Sequence, residues 1–329
     1  MIAAELDAAA AQKLVASAEP DATLALAAVT TLAPDVCALL AQHPGGMDLS
    51  GLKDLSEDLA KAMARCRGRL VLDGLGKITD PSAAALASCP ATLSLRGITE
   101  LRSAALATKL AGQPTDMHDA DRELTLARVT SISPAAATAL AAQPCDVRLP
   151  SLKSIDVETA RALATHRGLL DVDRIENIEP DALAALLGNR GTIDLGGLRS
   201  LGQTVAPAVL AAIGSHEGAL GLTGLVELPP ELATAIRQHR GTTSLGPLEE
   251  LSAEAARNLV GCAGDVWLDR LPAATPTAAL TALLKHRGPG KIILTSTLVN
   301  SPAVPQQIGA AIRGNRFLCL GNTLDCGAR

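Results

Sequence analysis

Tyrosine is missing from this chain of 329 residues, and phenylalanine and tryptophan occur once each, as Phe317 and Trp267. A core without rings has to be built from small aliphatic side chains in close contact. The same lack removes the stacking platforms on which proteins hold single-stranded nucleic acid. A net charge of −5 leaves no general surface for phosphate, so no nucleic acid is expected as a partner. No run of 18 apolar residues occurs, and no membrane span or membrane partner is expected. Residues 1–26 carry Glu5, Asp7, Lys13, Glu19 and Asp21 and lack the basic start and clean apolar stretch of a secretory leader. Seven cysteines, an odd and scattered set, are expected to be reduced, buried thiols, with the cytoplasm as the compartment. A glycine-rich phosphate loop, a G-x-S-x-G elbow and an H-E-x-x-H pair are all absent. The chain is therefore expected to be no enzyme, with no catalytic residue and no cofactor.

Leucine and alanine supply most of the apolar 48%, and the mean hydropathy of +0.25 gives ample material for a core. That material is periodic. The second leucine of an L-x-L pair, or its equivalent, falls at Leu26, Leu49, Leu72, Leu95, Leu126, Leu149, Val172, Leu195, Leu222, Leu245, Leu268 and Leu294. Most gaps are 23 residues, and the exceptions are 31, 27 and 26. A fixed period of this size marks a stack of supersecondary units. The L-x-L alternation is that of a strand with one buried face, and only Thr243 breaks it. Apolar residues three and six places after most anchors, such as Leu52 and Leu55, turn the chain inward toward a helix. Ser56, Asp80-Pro81, Ser133-Pro134, Glu179-Pro180, Ser252 and Thr275-Pro276 are expected helix starts. Gly or Pro closes each unit, at Gly45, Gly68, Pro90, Pro144, Gly168, Gly191, Gly241 and Gly264. Strand, turn, helix and stop recur, so the expected fold class is α/β, with a parallel sheet on one wall and short helices on the other. A parallel crossover of this kind is right-handed.

The stretch Gly76-Lys77-Ile78-Thr79-Asp80, followed by Leu86-Ala87-Ser88-Cys89-Pro90-Ala91-Thr92-Leu93-Ser94-Leu95, resembles the cysteine-containing class of leucine-rich repeats. That class has an I-T-D turn and a C-P pair before the next strand. The resemblance covers about residues 22–300 and implies a right-handed solenoid with its sheet on the concave side. The unit here is a few residues shorter, and an apolar residue follows the strand where the family has Asn or Cys. Residues 1–21 are expected to form an N-terminal capping helix, 22–300 about twelve repeats, and 301–329 a C-terminal cap in which residues 306–313 form a helix.

Candidate sites fall where the copies differ. His43, His166, His216, His239 and His286 share one slot, two residues before the closing Gly, which Cys66, Cys89, Cys262, Gln143 and Asn189 fill elsewhere. Such a row is chemically able to hold zinc, but Gln and Asn in the same slot point to capping of helix C-termini. The insertion at 111–123 carries Asp116, His118, Asp119, Asp121 and Glu123, which suit either a hard cation or a tolerated surface loop. A shorter one lies at Gly202-Gln203-Thr204-Val205. On the open face of the sheet, Asp171, Asp173 and Asp194 sit on neighbouring strands, with Arg148 and Arg174 beside them. Their mutual repulsion opposes pairing, and either a basic partner or ion, or simple solubility, accounts for them. Trp267 points outward in this register and is a candidate hot spot, with Asp269 next to it. The expected function is a non-enzymatic scaffold that binds a protein or peptide on its concave sheet. The alternatives are a metal-binding protein or metal-dependent hydrolase using the His/Cys row or residues 116–123, and a purely structural or self-assembling solenoid.

Overall fold

A computed structural model describes residues 6–113, 123–202, 204–268, 271–272, 275–294, 298, 302 and 304–320. Parallel strands alternate with helices throughout, and thirteen helices occur among the described residues. The chain divides into two compact units, 1–152 and 153–329.

The first unit opens with helix α1 (Ala8–Ser17), whose first turn is capped by Asp7 accepting from the Ala10 N–H at 2.7 Å. Strands β1 (Leu24–Ala25), β2 (Met47–Asp48), β3 (Leu70–Val71) and β4 (Leu93–Ser94) pair in chain order, all parallel. Helices α2 (Pro34–Leu40), α3 (Glu57–Met63) and α4 (Asp80–Ala87) lie between them in sequence and pack on one another. A short strand β5 (Glu100–Leu101) and helix α5 (Ala104–Gly112) follow. After the insertion come β6 (Glu123–Thr125), β7 (Ser131–Ile132), α6 (Pro134–Ala141) and β8 (Asp146–Arg148). Here β5 pairs with β7 and β6 with β8, while α5 packs on α6. At β4 the Gln113 side chain stands in for a strand. Its amide oxygen accepts from the Leu93 N–H, and its nitrogen donates to the Leu93 carbonyl at 3.0 Å. Backbone groups that would otherwise be left open are thereby bonded.

The second unit runs α7 (Val157–Leu163), β9 (Leu170–Asp171), α8 (Pro180–Leu186), β10 (Ile193–Asp194), α9 (Pro207–Ser215), β11 (Leu220–Leu222), α10 (Pro230–Gln238), β12 (Thr243–Leu245), α11 (Ala253–Leu259), β13 (Val266–Leu268), α12 (Thr277–Leu283), β14 (Ile292–Leu294), α13 (Gln306–Gly314) and β15 (Leu318–Leu320). Strands β9 to β15 pair in order, each parallel to the next. The tail Phe317-Leu318-Cys319-Leu320, expected to lie in the terminal cap, thus supplies a further strand with the same L-x-L signature.

Both apolar residues of each L-x-L pair are buried in nearly every strand, as at Leu70 and Leu72 or Leu220 and Leu222. They meet the inward faces of helices at Ala60 and Met63, Ala160 and Leu163, or Ala233 and Ile236. Each fully buried Leu contributes about 1.5–3 kcal/mol. A single repeat holds only a handful of them against the entropy of ordering some 23 residues, so a repeat is stable through its neighbours.

Helix starts are partly as expected. Ser56, Ser133 and Ser252 cap α3, α6 and α11 by accepting N–H bonds at 3.2, 3.2 and 3.0 Å. Thr79 rather than Asp80 caps α4, with Pro81 inside the first turn. Glu179 holds the N-cap position of α8 but makes no side-chain cap bond, and Pro180 follows it at the first helical position. Thr275 bonds the Pro272 carbonyl instead, and α12 starts two residues later.

The closing glycines prove to be a matter of space. A Cβ on Gly241 would run into the backbone of Gly218, one on Gly218 into Gly191, and one on Gly264 into Gly241. None of them needs a left-handed backbone, since positive φ is found only at Gly202 and Gly261 among the described glycines. Cys37, Cys66, Cys89, Cys145 and Cys262 are free buried thiols, as expected. Cys319 departs from that expectation: it is disulfide-bonded.

Candidate functional site

The histidine slot is interior. His43, His166, His216, His239 and His286 are all buried, as are Asn189, Cys66, Cys89 and Cys262 in the same slot. Where partners are resolved, the side chains satisfy backbone groups, mostly of the preceding repeat. His43 Nε2 donates to the Ala22 carbonyl at 2.7 Å, and His216 Nδ1 to Leu187, the C-cap of α8, at 3.1 Å. Asn189 spans the Leu163 carbonyl, at the last residue of α7, and the Gly191 N–H. The Cys89 thiol reaches the Met63 carbonyl, the last residue of α3, at 3.3 Å. Asn315 repeats the Asn189 arrangement, donating to Leu284 and accepting from the Phe317 N–H. The capping reading holds for His216, Cys89, Asn189 and Asn315, each of which meets the helix end of the previous copy. His43, His239 and His286 bond turn carbonyls instead.

Two of these rings have their tautomer set. His239 Nε2 donates to the Gly218 carbonyl at 2.9 Å, so Nδ1 accepts from the Thr243 hydroxyl at 2.7 Å. His286 Nδ1 accepts from the Gly261 N–H at 3.1 Å, and Nε2 donates to Gly290 at 2.8 Å. Burial and then the neighbouring His216 push the His239 pKa down, while its bond to the Gly218 carbonyl opposes them. Burial raises the thiols: Cys37 to about 12 and Cys262 to about 11. Among the described residues, no three His, Cys, Asp or Glu side chains are grouped to hold a metal ion. Residues 116–122 of the acidic insertion lie outside the described residues.

The open sheet face is where the sequence placed its binding residues, and the register bears on each. Asp194 is the direct partner of Asp171 on one side and of Gly221 on the other. The column continues through Ser244 to Trp267 and Ile293. Asp171, Asp194, Ser244 and Trp267 are part-exposed, whereas Ile293 is buried. The aspartates also have a local duty absent from the sequence reading. Asp171 accepts from the Asp173 N–H at 3.2 Å, and Asp194 from the Gly196 N–H at 2.9 Å. Asp48 does the same for Ser50 at 3.0 Å in the first unit. Each carboxylate thereby braces the backbone as the strand turns away, a task that short acceptors two residues upstream perform well.

Asp173 lies in the second column, just past the strand. Its Oδ2 is 3.9 Å from Arg174 Nε, while Oδ1 is shielded from solvent and has no hydrogen-bond donor among the described residues. Arg148 pairs with Glu123 in its own unit, Nε to Oε1 at 3.1 Å. Asp269, proposed as part of the same face, lies outside the described residues.

A second feature was missed. A cavity of about 450 Å³ opens at the strand-to-helix turns of the second unit, between Ser154 and Val209. The four-residue insertion near Gly202 was its only sequence signal.

No protein-family model matches this chain, and neither does any curated protein. Fold and register together define a repeat protein of parallel strands alternating with helices. No helix among the described residues is long and apolar enough to cross a membrane.

Proposed function

We propose that this chain is a non-enzymatic interaction scaffold of the leucine-rich repeat type, binding a protein or peptide partner across the concave face of its sheet. The observation that carries the reading is the part-exposed column Asp171, Asp194, Gly221, Ser244 and Trp267, flanked by the carboxylate of Asp173. Small side chains along it let a partner approach the backbone, and a large ring near one end offers an anchor. Asp171, Asp173 and Asp194 gather negative charge at the other end. The acidic end therefore suits a basic partner.

Because Asp171 and Asp194 also brace the turns, charge and structure must be separated in the test. Asp171→Asn with Asp194→Asn keeps an acceptor oxygen in place and removes both charges. The expected outcome is unchanged urea stability with weakened partner retention, together with a further loss on Trp267→Ala. Retention that stays the same in both the double aspartate variant and Trp267→Ala would end the open-face reading.

A further inference from the structure

The cavity in the second unit arises from a break in the repeat. Helices α8 and α10 each begin eight residues after their anchors, Val172 and Leu222, whereas α9 begins twelve after Leu195. Gly202, whose φ of +89° only glycine adopts cheaply, lies in the extra stretch, and Val205 is buried. The consequence is visible in the column six places past the anchor. Leu32, Leu55, Leu101, Ile132, Leu228 and Leu251 are buried, but Ile155, Ile178 and Leu201 are part-exposed in three successive turns. Outside that stretch only Ile78 is so, among the described residues. Delaying α9 has left an apolar groove uncovered.

Its volume of about 450 Å³ falls in the range of pockets that hold ligands, roughly 300–1,000 Å³. The floor is aliphatic, from Ile155, Ile178, Leu183, Leu198, Leu201 and Val209, and the rim carries the exposed carboxylates of Glu176 and Glu179. Lys153, Arg174 and Arg199 are near in sequence, but no cation lines the groove among the described residues. Three stacked turns at strand spacing span roughly 10 Å, the reach of about three extended residues.

We propose that this groove binds an extended peptide segment of about three residues that places an apolar side chain on the aliphatic floor and a lysine or arginine against Glu176 and Glu179. It is a second interaction site, independent of the open sheet face.

The test uses the full chain with 13C-labelled Ile, Leu and Val methyl groups, titrated with acetyl-Ala-Leu-Arg-Ala-amide and with its Leu-Glu counterpart. The basic peptide is expected to move the methyl signals of Ile155, Ile178, Leu201 and Val209. Glu176→Gln with Glu179→Gln should weaken it about tenfold, and Ala206→Phe should abolish it by filling the space. Asp171→Asn with Asp194→Asn should leave it unchanged, so that failure here is separable from failure of the open-face reading. Equal binding of the acidic peptide, or no movement of those methyls at millimolar peptide, would overturn the proposal. Hexylguanidinium binding as tightly as the peptide would overturn it too, by making the occupant a small cation.

Discussion

His239 and Thr243 are four residues apart and bonded to each other, and each explains the other. Thr243 is the one polar residue in the L-x-L positions, and it is buried. Its hydroxyl supplies the proton that His239 Nδ1 needs once Nε2 is committed to Gly218. His216 has Leu220 at the same spacing, and its Nε2 is buried without a partner among the described residues. Thr243→Val, although nearly isosteric, should therefore cost about 1–3 kcal/mol in urea unfolding; a change below a few tenths would show that the pair contributes nothing. Asn already fills this slot at 189, so His239→Asn should be milder than His239→Leu, which leaves Gly218 and Thr243 without a partner. Because burial lowers the His239 pKa, the neutral ring is the native form. Stability that depends on it is complete above about pH 6.5 and falls as the pH drops below that value. The urea midpoint should thus fall more between pH 7.5 and 5 in the wild type than in His239→Asn. Equal falls would contradict the assignment.

At the scale of the element, the helix starts and the glycine column decide how closely copies stack. Asp156 caps α7 by accepting from the Thr159 N–H at 2.7 Å, a bond that also lowers its pKa. Asp156→Ala should cost about 1 kcal/mol, and that contribution should fade as the pH falls below about 4 and the carboxylate is protonated. Gly241→Ala should cost more, about 1–3 kcal/mol, because the new methyl meets the backbone of Gly218, which has no rotamer to give way. A Gly241→Ala variant as stable as the parent would mean the strand stack has slack that the structure does not contain. The sequence marked both kinds of position, since caps and stops are local residue choices. Asp80-Pro81 and Thr275-Pro276 marked the starts of α4 and α12 only to within a residue or two, because the boundary between the last turn residue and the first helical one depends on packing. The closing glycines looked like helix stops for a similar reason. Their constraint is set by a neighbour 23 or more positions away, and no local pattern reports it.

Over the whole chain, what could be read in advance was whatever the period repeats. Twelve anchors located strands and helices, and only the thirteenth, in Leu318-Cys319-Leu320, was passed over as a tail. The candidate sites were legible in proportion to how far they share that regularity. Asp171, Asp194 and Trp267 could be placed on one face because strands alternate. Their turn-bracing bonds and the shielding of the Asp173 oxygen could not be seen, since both depend on backbone detail past the strand. The groove at Ile155, Ile178 and Leu201 was hinted at only by four surplus residues. Burial has a chemical consequence as well. Cys37, Cys66 and Cys262, with thiols pushed well above their ordinary values, should resist iodoacetamide in the native protein and react on unfolding. Native labelling at those positions would show that the stack opens.

The central claim, that a partner lies along the open sheet face, is tested most directly by site-specific photo-crosslinking in the source cells. A photoreactive residue at Ser244, in the open column between Gly221 and Trp267, should yield a discrete adduct with one protein partner. The same residue at Thr234, on the exposed side of α10, should yield none. An adduct from Thr234 with none from Ser244 would place the partner on the helices and contradict the account.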